Sequence, residues 1–551
     1  MKKTLLCGFV LASFLVGYTF GGGGQEPASA GSGIQVSEPG VFPIVEERIT
    51  LEFFAPQHAI VEDMATNTMT MYMEELTNVH IEWETVPSQA QNEKRTLLLA
   101  SGDYPDVLFS VGTTAQEVMI YGSQGVFLPL NDLIDTHGFE IKKVFAEQPN
   151  VRPIITTPDG NIYALPHINQ CYHCFFSQKM WINREWLAAL DLDMPTTPEE
   201  MYQVLKAFKT RDPNGNGIAD EIPISGSGTG GWHSRFPAFF MNAFIYYDDT
   251  GDYFSMNNGT ISFVANKPGY RDGLRYLTRL YAEGLIDPAA FTQDGTQLRS
   301  LGENPDISIL GSALAGWFGV FTKNGAPSGR FTLYDAVPPL EGPGGVRTTG
   351  SYPFGINVGN YVITSASENP EIAFKYADHL YNREATLRSV FGREGEEWDW
   401  ANPGDKGLNG EPAIWIRHST FGSLQNFHWA QVGPSYRPFL LRLGEKAVSR
   451  DDYFTGKGLS LRLYDETKAK YDVGIVPDEV YPPVFMTKQQ SSEIAQLRTT
   501  IGDFIVEHDA RFITGDLDIE KDWDAYVNEL DKIGVERYVQ VAQEAYDAQY
   551  K

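Results

Sequence analysis

Leu51-Glu52-Phe53-Phe54, Val79-His80-Ile81-Glu82-Trp83 and Val107-Leu108-Phe109 are three short apolar-rich runs separated by stretches of helical period. The second alternates apolar and polar side chains, as a strand with one buried face must. Helices are predicted between the runs, over residues 67–77 and 89–100. Strands that alternate with helices form βαβ units on a mainly parallel sheet, so the fold class is α/β.

Toward the C-terminus the helix signals are physical rather than statistical. Thr197-Pro198-Glu199-Glu200 combines a capping box with proline at the first helical position, and Met201, Val204, Leu205 and Phe208 then line one face. Asn369-Pro370 opens another helix, with Ala373, Tyr376, Ala377, Leu380 and Tyr381 on its buried stripe. A third carries Leu274, Leu277, Leu280 and Tyr281 and stops at Gly284. Toward the N-terminus, order is expected from about Glu47. The Gly/Ser/Pro-rich stretch before it reads as a flexible tether, assigned to residues 31–45. Residues 1–30 read as an export signal, in which Lys2 and Lys3 precede the apolar run from Leu5 to Phe20. Cleavage after Ala28-Ser29-Ala30 or among Gly21 to Gly24 fits equally. Leu15-Val16-Gly17 begins like a lipoprotein box, but Tyr18 stands where the acylated cysteine must be. The mature chain is therefore expected to be periplasmic or secreted.

The 551 residues are 42% hydrophobic, enough for large cores in more than one lobe. With 43 Lys+Arg against 71 Asp+Glu the formal charge is -28, a field that repels phosphate polymers and argues against a nucleic-acid partner. A neutral ligand suits that field unless a local basic pocket overrides it. Aromatics at 13% would serve sugar contacts and would equally serve any large core. Cys7 leaves with the signal, so Cys171 and Cys174 remain as Cys171-Tyr172-His173-Cys174. In an oxidising compartment such a pair closes a small disulfide more often than it does redox work. A zinc site adding His173 and His167 is the alternative, and it lacks a second ligand pair at defined spacing.

One motif is strong. Asp212-Pro213-Asn214-Gly215-Asn216-Gly217-Ile218-Ala219-Asp220-Glu221 places oxygen side chains at loop positions one, three, five and nine, with glycine at six. That is the spacing of EF-hand-like calcium loops, in which position seven, Ile218, offers its backbone carbonyl. Position twelve is Pro223 rather than glutamate, and Glu221 supplies the carboxylate early. Since Glu221-Ile222-Pro223-Ile224 looks extended, the loop is expected to run from helix into strand and to hold a structural Ca²⁺ through Asp212, Asn214, Asn216, Ile218, Asp220 and Glu221.

Several segments resemble extracellular solute-binding protein family 1, especially its large oligosaccharide-binding branch with alginate-binding and LipO-like members. They are Leu97-Leu98-Leu99-Ala100-Ser101-Gly102-Asp103-Tyr104-Pro105-Asp106-Val107, Gly160-Asn161-Ile162-Tyr163-Ala164-Leu165-Pro166, Ile182-Asn183-Arg184-Glu185-Trp186-Leu187, Gly284-Leu285-Ile286-Asp287-Pro288 and Ile363-Thr364-Ser365-Ala366-Ser367-Glu368-Asn369-Pro370-Glu371, with the acidic, aromatic end from Phe512 to Tyr546. The resemblance covers nearly the whole mature chain. It implies a fold like the type II periplasmic binding proteins: two α/β lobes joined by crossing hinge strands, with a ligand cleft between them. By analogy the crossings fall near residues 162–168, between 340 and 355, and after Trp400. One lobe would comprise 45–165 with 352–400, and the other 166–345 with 401–551. The resemblance further implies a monomeric substrate-binding component of an ABC importer that delivers a carbohydrate to permease subunits.

Sugars offer flat C–H faces to aromatic rings and hydroxyls to polar partners, so the ligand-binding candidates are aromatic residues with polar neighbours. Trp317, between Gly316 and Phe318-Gly319, is first, because family members often place a cleft tryptophan there. Trp398 with Glu397, Trp232 with His233, and His167, Gln170 and Tyr172 after the first crossing complete the set. Two other readings stand beside transport: a secreted calcium-dependent carbohydrate-active enzyme, and a receptor for a chemosensory system. A glycosidase needs two positioned carboxylates, which 71 acids neither prove nor exclude. The resemblance, with the absence of nucleophile-elbow, zincin, Walker and dinucleotide motifs, favours a non-enzymatic protein.

Overall fold

Asn67 accepts a hydrogen bond from the Met69 N–H and so opens the helix Thr68–Thr77, whose buried face carries Met69 and Met73. The computed structural model that contains it describes residues 34–88, 90–419 and 424–551; the export signal lies outside them. In chain order the strands are β1 (Ile49–Gln57), β2 (Val79–Pro87), β3 (Val107–Phe109), β4 (Leu165–Asn169), β5 (Met180–Asn183), β6 (Phe254–Asn257), β7 (Thr260–Phe263), β8 (Ser312–Leu314), β9 (Tyr334–Ala336), β10 (Ile356–Ile363), β11 (Trp398–Trp400), β12 (Trp415–Arg417) and β13 (Tyr436–Arg437).

The larger sheet has the order β13-β4-β10-β3-β1-β2. Its β1 runs parallel to β2, with Ile49 opposite Val79, and parallel to β3, as the alternation of strands and helices requires. It is nevertheless mixed, because β10 enters antiparallel to both β3 and β4. Leu51, Phe53, Ile81, Val107, Leu165 and Tyr361 are all buried against the helices on this core, with Phe53 packed edge-on to Trp83 and Tyr361.

A second core forms around the sheet β8-β5-β9, in which both neighbours run antiparallel to β5. The expected caps build its helices. Thr197 and Glu200 exchange bonds in a capping box ahead of the helix Pro198–Thr210, whose Met201, Val204, Leu205 and Phe208 are buried. The helix Pro268–Ala282 buries Leu274, Leu277 and Leu280, and the chain then turns at Gly284 with φ 65°. The C-terminal helix Lys488–Thr514 contributes Ile501, Ile505 and Phe512 to the same core.

The structure shifts three boundaries. β4 pairs with β10 and β13 in the first sheet, so the first crossing lies between Asn169 and Met180 rather than at 162–168. Trp429 and the strand β13 belong to the first core, not the second: the Trp429 indole donates to Thr70 at 2.9 Å and packs edge-on to Phe109. Order also starts earlier than Glu47. Val36 bridges Val45, Ile44 and Val45 are buried, and Lys375 Nζ donates to the carbonyls of Ser37 and Glu38, so the described part of the supposed tether is docked on the first lobe. Leu387, Val390, Phe391, Trp398, Trp415 and Leu441 form a small separate core around β11 and β12.

Candidate functional site

The three crossings run side by side. Asn169 N–H donates to Gly355 O at 2.8 Å and Gln170 N–H to Arg437 O at 2.9 Å. Two adjoining cavities open beside them, of about 300 Å³ and about 820 Å³, and both are lined by Cys174 and Trp232. The larger one is walled by Thr114, Ala115 and Gln116 of the first lobe, where Ala115 packs on the cluster of Phe54 and Leu108, and by Phe254, Tyr481 and Ile494 of the second core, which makes this the interlobe cleft.

Trp317 and Tyr172 line the smaller cavity, and Trp232 borders both. Glycines make room for these rings. A Cβ on Gly319 would stand 2.2 Å from the Trp317 ring, and one on Gly316 would stand 2.3 Å from the Trp232 ring. The Trp232 carbonyl accepts the Gly316 N–H at 2.9 Å, so the two tryptophans are held by one short piece of backbone. Trp317 is half-buried, while Trp232 is 38% exposed. His233, with φ 53°, lines the larger cavity and pairs with Asp249 at 3.2 Å. Tyr172 donates its hydroxyl to Asp472 at 2.7 Å, which leaves its ring to face the cavity.

Four expected contacts do not line either cavity. Trp398 is fully buried and donates its indole N–H to Gly392 O at 2.8 Å within the small core. Glu397 is held by Arg393. Gln170 exchanges amide hydrogen bonds with Gln148 and accepts the Phe439 N–H. His167 lies under the cleft: Nδ1 meets Gly433 O at 2.9 Å, and Nε2 meets Arg437 Nη2 at 3.0 Å. Burial and the adjacent guanidinium push its pKa down to about 3, so the ring is neutral, donates from Nδ1 and accepts at Nε2.

Sequence reasoning missed the basic floor of the smaller cavity, where Arg417, Arg437 and Arg442 line one end. Arg437 is 1% exposed and its other donated bond goes to Gln431 at 2.8 Å. Burial, reinforced by Arg442 and Arg417, holds its pKa well below the usual guanidinium range. Arg417 pairs with Glu445 at 3.0 Å. The Nε atoms of Arg417 and Arg437 are both buried without a hydrogen-bond partner, and the three guanidinium groups make this end of the cavity rich in donors. The only sequence signal was the pair Arg437 and Arg442 in a strongly acidic chain, and that pair becomes a floor only when β13 docks on β4.

Cys171 and Cys174 are joined as a disulfide, which takes both thiols from any zinc site. They also belong, with His173, to the one group of three Cys, His, Asp or Glu among the described residues whose ligand atoms all lie within 4.8 Å. The calcium-type loop is looser. Asp212, Gly215 and Gly217 take positive φ of 50°, 72° and 75°. The Asn216 and Gly217 N–H groups donate to Asp212, and the Asn214 and Asn216 amides donate to Asp220 at 2.9 and 3.0 Å. Glu221 Oε1 is buried with no partner, and burial, with Asp212 and Asp220 adding to it, raises the Glu221 pKa. Acceptors gathered around an orphaned carboxylate oxygen fit a hard cation. The loop runs from helix into an extended segment, where Ile222 bridges Leu310 and Ser225 bridges Ala313 beside β8. That segment leads on to Trp232.

Residues 55–387 match the family model described as bacterial extracellular solute-binding protein. The chain is 31% identical over 529 residues to the fructooligosaccharide ABC transporter substrate-binding protein FusA of Streptococcus pneumoniae, covering 92% of this chain and 91% of that one. Among solved structures, FusA with kestose superposes with a TM-score of 0.73 at 27% identity, and an EF-hand mutant of FusA with fructo-nystose with a TM-score of 0.74 at 27% identity. Each alignment covers 90% of this chain and 99% of the other.

Proposed function

Because this chain belongs to the bacterial extracellular solute-binding protein family, we propose that it is the substrate-binding component of an ABC importer, closing its two lobes on an oligosaccharide and delivering it to membrane permease subunits. The observation that carries the ligand class is the pairing of the Trp317 and Trp232 rings with the donor-rich floor of Arg417, Arg437 and Arg442 in one interlobe cavity. The rings suit the C–H faces of sugars, and the guanidinium N–H groups suit hydroxyl oxygens. Fructooligosaccharides, for which the ABC transporter of the FusA substrate-binding protein is named, are the first candidates.

The protein acts without catalysis, releasing its ligand unchanged. It works outside the cytoplasmic membrane as a monomer; among the described residues no helix is long and apolar enough to cross a bilayer. One Ca²⁺ sits in the loop Asp212–Glu221, held by Asp212, Asn214, Asn216, the Ile218 carbonyl, Asp220 and Glu221. The orphaned Glu221 Oε1 supports that site, and the ion steadies the segment that leads to Trp232.

A thermal-shift screen of mono- and oligosaccharides tests the reading. A true ligand raises the melting temperature progressively with concentration above its Kd. The reading fails if no carbohydrate shifts the transition while a peptide or other solute does.

A further inference from the structure

A short strap before the helix Lys488–Thr514 belongs to both lobes at once. It reads Val480-Tyr481-Pro482-Pro483-Val484-Phe485-Met486, and every residue of it except Phe485 lines the larger cavity, which the crossing turn bounds elsewhere at Cys174. Phe485 turns the other way. Its ring is 3% exposed and sits in a cluster of the first lobe with Phe54 of β1, Leu108 of β3 and Val362 of β10.

The rest of the strap is fastened to the second lobe. Ahead of it, Glu479 accepts the Gly259 N–H at 2.8 Å, and Tyr481 packs edge-on to Phe254 at 5.3 Å. The Tyr550 hydroxyl donates to Pro483 O at 2.7 Å, and the Phe485 N–H donates to Gln549 Oε1 at 2.8 Å. Gln549 and Tyr550 end the helix Val535–Tyr550, whose Val535, Tyr538 and Ala542 lie in the second core. The Gln549 amide adds a long, exposed bond to the Pro153 carbonyl of the first lobe at 3.4 Å. The strap thus travels with the second lobe while its Phe485 side chain is lodged in the first.

Pro482 and Pro483 restrict the backbone ahead of Phe485 and hold the ring toward its cluster. Withdrawing that ring exposes apolar surface and strands no polar group, because the Phe485 N–H keeps its bond to Gln549. Exposure of one phenyl ring is an effect of the size that separates two populated conformers of one protein.

We propose that Phe485 is an interlobe latch: seated in the first-lobe cluster, it ties the lobes together along the strap side of the larger cavity, and its withdrawal lets them part for ligand to enter and leave. The proposal rests on the two-lobed fold and holds whatever the ligand is.

The test measures the distance between the lobes in the unliganded mature chain, by pulsed electron resonance between nitroxides on Glu75→Cys and Ser300→Cys. Both positions are exposed, the first on the helix Thr68–Thr77 and the second on Gly295–Gly302, a helix anchored in the second core by Leu298. Phe485→Ala should raise the ratio of long to short distances about tenfold or more. Phe485→Leu, which keeps an apolar plug, should return most of the population to the short distance. The double change Pro482→Gly with Pro483→Gly leaves every ring of the cluster in place and loosens the released strap, so it should shift the ratio the same way by about threefold. Thermal unfolding and far-ultraviolet dichroism accompany each variant, and the double glycine variant decides the matter if Phe485→Ala does not fold. Distance distributions that match the wild type in the folded variants overturn the latch, as does a variant that loses thermal stability with its interlobe distance unchanged, since Phe485 is then only a packing residue.

Discussion

Trp317 lies on Gly319 with its ring half-buried at the cavity wall, whereas Trp398 is fully buried and spends its indole N–H on Gly392. The two substitutions should therefore fail in different ways. Trp317→Ala should weaken oligosaccharide binding by on the order of 2 kcal/mol, about thirtyfold in Kd, with a smaller effect on unliganded stability. Trp398→Ala should cost roughly 3 to 5 kcal/mol of folding stability and leave the folded fraction binding nearly as before. Calorimetric affinity and denaturant unfolding on both variants check this, and a binding loss for Trp398→Ala alone would reverse the assignment. Sequence could not separate these residues, since each is a tryptophan beside glycine or acid. What decides is that Trp398 enters β11 and a core completed by Trp415 and Leu441, which come later in the chain.

A second residue-level consequence concerns pH. Asp509 is buried, accepts a hydrogen bond from the Tyr270 hydroxyl at 2.7 Å, and burial pushes its carboxyl up to about 7 from 3.8. The folded state thus holds a proton that the unfolded chain releases near 4, so this group lowers stability as pH rises between those values. Asp509→Asn keeps an acceptor for Tyr270 and removes the ionisation. The variant should match the wild type near pH 4 and exceed it at pH 8 by on the order of 2 to 4 kcal/mol. Unfolding by denaturant across that range is the measurement, and identical slopes in both proteins would contradict the account.

At the scale of elements, the helices were the most legible part, because their signals are local. The Thr197–Glu200 box and the proline at 198 act within one turn. The first crossing was placed too early for the opposite reason: β4 is extended into the first sheet by pairing with β10 and β13, and neither partner is near it in sequence. The calcium-type loop was legible as a motif, since its ligand spacing is self-contained. Chelation should lower the melting temperature, because three carboxylates would be left together around the buried Glu221 oxygen. Asp212→Ala should start from the lower temperature and be indifferent to chelator. Metal analysis of untreated protein accompanies the melts; no calcium and no chelator effect would reduce the loop to a turn. Because the segment after the loop runs beside β8 and on to Trp232, metal removal should also weaken ligand binding.

At the scale of the whole molecule, two α/β cores face each other across a cleft whose floor is three crossings in mutual hydrogen-bond contact. The resemblance in sequence foretold two lobes and a cleft, but not that the chain would return to the first lobe at Trp429 and β13 before its C-terminal helices join the second. That return carries Arg437 under the cleft and makes the basic floor, so the most strongly charged part of the site depends on long-range topology. In a chain of net charge -28, such a floor forms only where the fold gathers it. Fold and site together point to reversible oligosaccharide binding in this cleft. The most direct test is isothermal titration of the mature chain with the oligosaccharide series, followed by recovery and analysis of the sugar. The account predicts one ligand per chain at a Kd of roughly 1 μM or tighter, with the sugar returned intact. Failure to bind any member of the series, or turnover of a bound sugar that survives repurification, would contradict it.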